Sequence, residues 1–416
     1  MKKIIVFLMA CSLLTTSPIT LADSSRQSNN FFDAWKETSW ELNTASLSLE
    51  ARYFFNEATS SKQHKANLSA SFESTFYKNM YDDKLLLTFT PFLRADQGDK
   101  ERTHGDIREF IALWADETWE ASAGIGKVYW GVAESSHLVD IINQTDLIEN
   151  IDGEDKLGQP MISLTFINED YGTLATYLLP KFRERTFPGV KGRLRSIPHV
   201  DNDSPVYQSS QRDNHLDYAL RYSKTLGDFD IGLSHFSGTS REPIFNVQFK
   251  TPSNIVLIPN YFLIKQSSLD FQATIEEWLF KFEGIYRSSD NDNYFAAVGG
   301  FEYTHSGAFD SSYDIGYLLE YNFDDRKDKA LTPFQNDIFA GLRMVFNDEQ
   351  STEFLLGFII DADNQGHSIN LEGNRRIGDS MKLTIESRIY SHFPQNSLLS
   401  GFKNDDYLQA ELAYYF

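Results

Sequence analysis

The stretch Asp405-Asp406-Tyr407-Leu408-Gln409-Ala410-Glu411-Leu412-Ala413-Tyr414-Tyr415-Phe416 decides how the rest of the chain reads. Leu408, Ala410, Leu412, Tyr414 and Phe416 alternate with Tyr407, Gln409, Glu411, Ala413 and Tyr415. Alternation at period two puts one set on each face of a strand, one apolar and one mixed. Such a strand has oil on one side and water on the other. The pattern recurs upstream. Leu47, Leu49, Ala51, Tyr53 and Phe55 oppose Ser46, Ser48, Glu50 and Arg52, and Tyr313, Ile315, Tyr317, Leu319 and Tyr321 oppose Asp314, Gly316, Glu320 and Asn322.

The N-terminus supplies an address. Lys2 and Lys3 precede the apolar run Ile4 to Leu14, and Thr20-Leu21-Ala22 offers a cleavage site before Asp23. This reads as a signal peptide over residues 1–22. Cys11 lies inside its apolar core and leaves with it, so the mature chain has no thiol chemistry. Beyond Ala22 no apolar run is long enough for a spanning helix, which excludes a helical membrane protein. Aromatic residues make up 14% of the chain, yet the mean hydropathy is −0.39. A membrane barrel reconciles the two, because half of each strand faces lipid and half faces water. The net charge of −21 becomes −23 when Lys2 and Lys3 are removed, which argues against nucleic acid as a partner.

Taken together, the terminal strand, the signal and the alternation resemble the outer-membrane β-barrel proteins of Gram-negative bacteria, porins among them. The resemblance implies a transmembrane antiparallel β-barrel of about 16–18 strands in the bacterial outer membrane. It also implies that the barrel-assembly machinery reads the last strand through Phe416. Outer-membrane lipids, lipopolysaccharide and small solutes would be the other partners, and an oligomer is compatible with the class.

Read in order, residues 23–39 form a periplasmic lead-in and 40–416 the barrel. The alternating segments number about eighteen, an even count that returns the C-terminus to the side of the N-terminus. Connections after odd strands are then external. The fifth strand, Trp119 to Trp130, is followed by a long non-alternating insertion at 131–160, and the other long external loops are Pro180–Asn214 and Gly238–Lys265.

The presumed inner face is ionic: Glu50, Arg52, Glu73, Arg94, Arg221, Lys281, Glu283, Arg287, Glu302, Arg343, Lys382, Glu386, Arg388 and Glu411 fall on the mixed side. Charge in a dry core costs several kcal/mol, so this many inward charges imply a wet lumen. Two loops sharpen the picture. The insertion carries Glu134, Asp140, Asp146, Glu149 and Asp152 among apolar residues that suit a loop packed inside the barrel. General porins fold the loop after the fifth strand into the lumen, and the resemblance extends to this loop's place and acidity. Its acids would form the constriction. The second loop inverts the charge, with Lys181, Arg183, Arg185, Lys191, Arg193 and Arg195 in fifteen residues. These cations either face the acidic loop across the pore or grip lipopolysaccharide phosphates. With Arg52, Arg94, Arg221 and Arg388 they make up the expected basic wall or mouth.

The expected function is a porin-like channel for passive diffusion of small polar or ionic solutes. A substrate-selective channel for a hydrophobic or oligomeric nutrient is the alternative. A third reading, a lipid hydrolase, rests on His235 and Ser237, two apart on the lipid side of one strand. A third group to orient the histidine is not evident, and nucleophilic catalysis requires one. No catalytic set, metal or cofactor is expected.

Overall fold

The computed structural model describes residues 31–252, 254–330, 332, 334–363, 366–392 and 401–416. The signal peptide over 1–22, with Cys11 and its cleavage site, lies outside the described residues, as does the lead-in up to residue 30. The chain divides into two compact units, residues 1–39 and 40–416. In the first, the described lead-in forms a short helix, α1 (Phe31–Glu37), with Thr38 Oγ1 donating to the Ala34 carbonyl at 3.0 Å.

The second unit is built from strands. The first seven are β1 (Glu41–Phe54), β2 (Ala66–Met80), β3 (Leu85–Asp96), β4 (His104–Ala115), β5 (Trp119–Gly126), β6 (Gln159–Asn168) and β7 (Gly172–Leu179). A two-residue strand, β8 (Val206–Tyr207), precedes β9 (Asp217–Leu226) and β10 (Phe229–Thr239). A hairpin of β11 (Ile244–Thr251) and β12 (Asn254–Tyr261) follows. Then come β13 (Leu263–Ile275), β14 (Trp278–Ser289), β15 (Asn293–His305), β16 (Asp314–Asp324) and β17 (Asn336–Val345). The last are β18 (Glu353–Asp361), β19 (His367–Ile377), β20 (Met381–Ser391) and β21 (Tyr407–Tyr415).

All but β8, β11 and β12 belong to one sheet of 18 strands. Each barrel strand pairs antiparallel with the next, and β21 returns to β1 through Leu49↔Leu412 and its neighbours. The sheet is therefore closed and has no free edge, as a structure surrounded by hydrocarbon requires. Along β21, Leu408, Ala410, Leu412 and Tyr414 are exposed while Tyr407, Gln409 and Ala413 are buried, so the predicted faces hold. Aromatic residues gather at the short-turn rim. Trp278 stacks near Tyr303 (4.8 Å between ring centres) and Tyr313 near Phe346 (4.8 Å). This apolar exterior, ringed by aromatics, is the surface of an outer-membrane barrel.

Two sequence expectations need correction. The 238–265 segment is not simply a loop: β11 and β12 form a hairpin, and β12 pairs in parallel with β8 from the preceding loop. Ile255, Val256, Leu257 and Ile258 are a continuous apolar run without period-two alternation, and the run is short enough to pass for loop. The fifth strand ends at Gly126 rather than Trp130. Gly124 lies at φ +139, where a Cβ would sit 2.2 Å from the Phe110 carbonyl oxygen. Only glycine allows this approach, and from there the chain turns inward.

Candidate functional site

Residues 127–158 cross the interior and are tied to the wall on three sides. On the first, the loop acids meet a row of arginines on β3, the β3–β4 connection and β4. Asp146, fully buried, accepts from Arg108 at 2.6 Å and from Thr186 Oγ1 at 2.6 Å. Glu149 takes Arg94 Nε at 2.8 Å, and Arg102 Nε donates to the Ile148 carbonyl at 2.8 Å. Arg102 also holds Glu50 of β1 through two bonds of 2.7 Å. These are buried charge pairs, and loss of either partner leaves the other uncompensated, at about 3–5 kcal/mol.

On the opposite wall the roles reverse, with wall carboxylates gripping loop backbone. Glu283 of β14 accepts from the N–H groups of Val132 (2.7 Å), Ala133 (3.0 Å) and Val139 (3.1 Å). Glu320 of β16 accepts from the Glu134 N–H (2.8 Å), the Ser135 N–H (2.7 Å) and Ser135 Oγ (2.6 Å). A carboxylate has lone pairs for this many donors, and such charge-assisted bonds are about twice as strong as neutral ones. The third tie is to β20, where Arg388 meets Asp152 at 3.0 Å and Asn150 donates to Glu386 at 3.1 Å.

Apolar packing completes the fixture. Trp130, Val139, Ile141 and Ile142 of the loop form a buried cluster with Met161, Phe236, Ile264 and Ile285 of the wall. One sector of the interior is thus dry and packed, where the alternation had suggested ionic residues throughout. Phe236, Ile264 and Ile285 occupy inward positions that the loop covers.

Beside the loop a cavity of about 810 Å³ remains. Glu134 faces it, held by Arg343 at 2.8 Å with Lys281 at 3.8 Å, and so does Asp152. Asp140 borders it but is engaged by Lys156 at 3.1 Å within the loop. His137 Nε2 donates to the Glu154 carboxylate at 2.6 Å, and its Nδ1 lies 2.7 Å from the Tyr129 hydroxyl. Burial opposes charge on His137, but the Glu154 contact and the carboxylates around it outweigh that and hold its pKa above the ordinary histidine range. Asp155 has solvent-exposed surface, yet its enclosure by the barrel, then Asp152 and Glu149 nearby, raise its pKa to about 7.

The basic residues divide into ties and free charges. Arg183 pairs with Asp106 at 2.9 Å, Arg193 with Asp405 at 2.7 Å, and Arg221 with Asp270 through bonds of 2.7 and 2.8 Å. Arg52 donates to Gln409 at 2.6 Å and lies 3.8 Å from Glu50. Arg185 and Arg195 both border the cavity, and among the described residues neither meets a carboxylate at salt-bridge distance. Arg185 donates to Gln144 at 3.2 Å. Around the same cavity stand Arg241, paired with Asp217 at 2.9 Å, and Arg287 and Arg326, which share Glu242, with Asp324 also on Arg326; the sequence reading missed these pairings. Arg102 and Arg108 were missed as well. Arg102 lies in a connection, and Arg108 is the residue of β4 left out of the pairing at the register shift opposite Thr90 and Pro91, which breaks simple alternation. His235 and Ser237 are on the outward row of β10, and His235 Nδ1 lies 2.9 Å from Ser267 Oγ of β13.

A closed antiparallel barrel of this size, with a long loop folded across its interior, has the architecture of the outer-membrane porins. Solved structures that it resembles include a porin and a further outer-membrane β-barrel. The BenF-like porin of Pseudomonas fluorescens aligns at a TM-score of 0.53 and 10% identity, covering 92% of this chain and 98% of that one. OccK3 (OpdO) of Pseudomonas aeruginosa gives 0.53 and 10%, covering 94% and 99%. Wzi of Escherichia coli, described as a carbohydrate-binding β-barrel involved in group 1 capsule assembly, gives 0.52 and 8%, covering 89% and 84%. No protein-family description matches the sequence. No curated protein matches it either.

Proposed function

We propose that the protein is an outer-membrane channel for small polar or ionic solutes, with residues 127–158 as its constriction. The observation that carries this reading is the loop itself. It is fixed to three walls and leaves beside it a cavity that exposes charges of both signs, Glu134 and Asp152 against Arg185 and Arg195. Fixed charges in a narrow, partly desolvated path are screened less than on an open surface, so they dominate ion selectivity. The basic segment belongs to this field, because Arg185 borders the cavity and Thr186 bonds the acidic loop. That favours the transverse-field reading over lipopolysaccharide binding for these residues. The packed sector around Trp130 and Ile142 narrows the path and favours a selective channel over a general one.

The test is planar-bilayer recording of the purified protein, with reversal potentials in a salt gradient. Stepwise conductance with charge-dependent selectivity is expected, and Glu134→Gln with Asp152→Asn should lower cation preference. A protein that inserts but gives no steps would overturn the reading.

A further inference from the structure

Two tyrosines on the cavity wall are buried with nothing to bond. Tyr294 is 5% exposed and Tyr390 8%, and neither hydroxyl has a hydrogen-bond partner among the described residues. An unsatisfied buried hydroxyl costs about 1–3 kcal/mol, so a group from outside the chain is the natural complement. Near Tyr390 the deficit is larger. Leu194 packs in the same apolar cluster as Tyr390, and the next two residues carry two more orphans, Arg195 Nε and Ser196 Oγ. All border the one cavity. Arg195 Nε can only donate, and the two hydroxyls can do so, which calls for an acceptor-rich, anionic group.

The neighbouring wall has the opposite character. Tyr390 faces Ser368 across β19, Ser368 faces Ile359 across β18, and Ile359 faces Phe339 across β17. Ile359, Phe339 and Leu318 form an apolar cluster on the inward side, with Leu355 packed against it. Phe339 lies close against Gly341 and Gly357, where a Cβ would come within 3.0 and 2.8 Å of its ring. This apolar strip, with Phe334 of the β16–β17 connection packed against it, borders the cavity. Three strand steps separate Phe339 from Tyr390, about 14 Å at the usual spacing.

We infer a binding site for an amphipathic organic anion, its carboxylate at Tyr390, Arg195 and Ser196 and its apolar body along Ile359 and Phe339. The inference rests on the channel reading only in taking the anion to be a solute in transit; the site itself is independent of conduction. It differs from a general charge field because an apolar tail, not charge alone, sets the affinity.

The experiment uses octanoate, acetate and neutral octanamide as probes, with the full-length protein. Titration calorimetry on the detergent-solubilised protein reads binding, and current block in bilayers reads passage. Octanoate should bind at least about tenfold more tightly than acetate or octanamide. Tyr390→Phe, which keeps the ring, should weaken octanoate about 3- to 10-fold and acetate by a similar factor. Arg195→Gln should do the same, and Phe339→Leu should act on octanoate alone. Equal binding of octanoate and acetate overturns the apolar half, and wild-type affinity in both Tyr390→Phe and Arg195→Gln overturns the head-group half. Octanoate binding without any conductance would sink the channel reading and leave the site standing. Conductance without octanoate binding would do the reverse.

Discussion

At the scale of single residues, proximity to other acids matters more than the number of acids. Asp146 and Glu149 are spent on Arg108 and Arg94, whereas enclosure in the barrel, and then Asp152 and Glu149 beside it, raise the pKa of Asp155 to about 7. A raised carboxylate pKa means a neutral group below it and a charged one above. Cation preference should therefore rise as pH goes from about 6 to about 8, and Asp155→Asn should flatten that window. Reversal potentials at stepped pH check this, and an unchanged slope in the variant would place Asp155 off the path. The same shift works against stability. The unfolded chain gives up this proton near the ordinary carboxylate range, so the folded state loses ground as pH rises from about 4 through about 7. At this scale sequence reading reached far for some residues and not for others. It grouped Glu134 and Asp152 with Asp140, Asp146 and Glu149 and could not tell them apart, because partner choice depends on loop geometry. It missed Tyr294 and Tyr390 because a tyrosine on a mixed face carries no mark of an unpaired hydroxyl.

At the scale of elements, the loop 127–158 is tied to the wall on three sides. Deleting Leu138–Asp152 touches no strand, so the barrel should still assemble, with larger conductance and weaker cation preference. It also strips the cover from Phe236, Ile264 and Ile285 and leaves Arg94 and Arg108 without Glu149 and Asp146. The variant should accordingly melt below wild type by the equivalent of several kcal/mol. A gentler change separates position from presence: Glu320→Ala removes the acceptor for three loop donors and should add current noise without changing mean selectivity sign. Quiet, wild-type traces would show that Glu283 and the apolar contacts suffice. The place of the loop was legible in the sequence, since a thirty-residue break in alternation after the fifth strand has few other homes. Its anchors were not. Glu283 and Glu320 appear in the sequence as ordinary wall charges, and only the fold shows that they face backbone N–H groups.

At the scale of the whole molecule, the barrel was the most legible part, because period-two alternation needs no long-range information. The eighteen strands, their closure and the outward faces of β1, β16 and β21 follow from it. The small sheet of β8, β11 and β12 does not, since its parallel pairing joins two loops far apart in sequence. The exterior supplies its own test. Leu319, mid-strand on β16, is 42% exposed on the face that meets lipid. Leu319→Arg should destabilise the inserted barrel by about 2–4 kcal/mol in reversible unfolding from bilayers. Wild-type stability would mean that the register of β16 or the membrane assignment is wrong. The outward His235 raises the one enzymatic question. Ser237→Ala should leave channel behaviour intact, and fatty-acid release from phospholipid abolished by that substitution would add a second function.

The three ties of the constriction loop also order events in time. Its partners run from Arg94 on β3 to Arg388 on β20, so the loop cannot finish docking until almost the entire chain has been woven into the sheet. Contacts of such sequence separation form late, after the loop-closure entropy has been met by strand pairing. The lumen is then the last part of the molecule to set and the first to come undone. Weakening its anchors, as in Arg388→Gln, should leave the folding rate near that of wild type and speed unfolding, because late contacts are absent from the transition state.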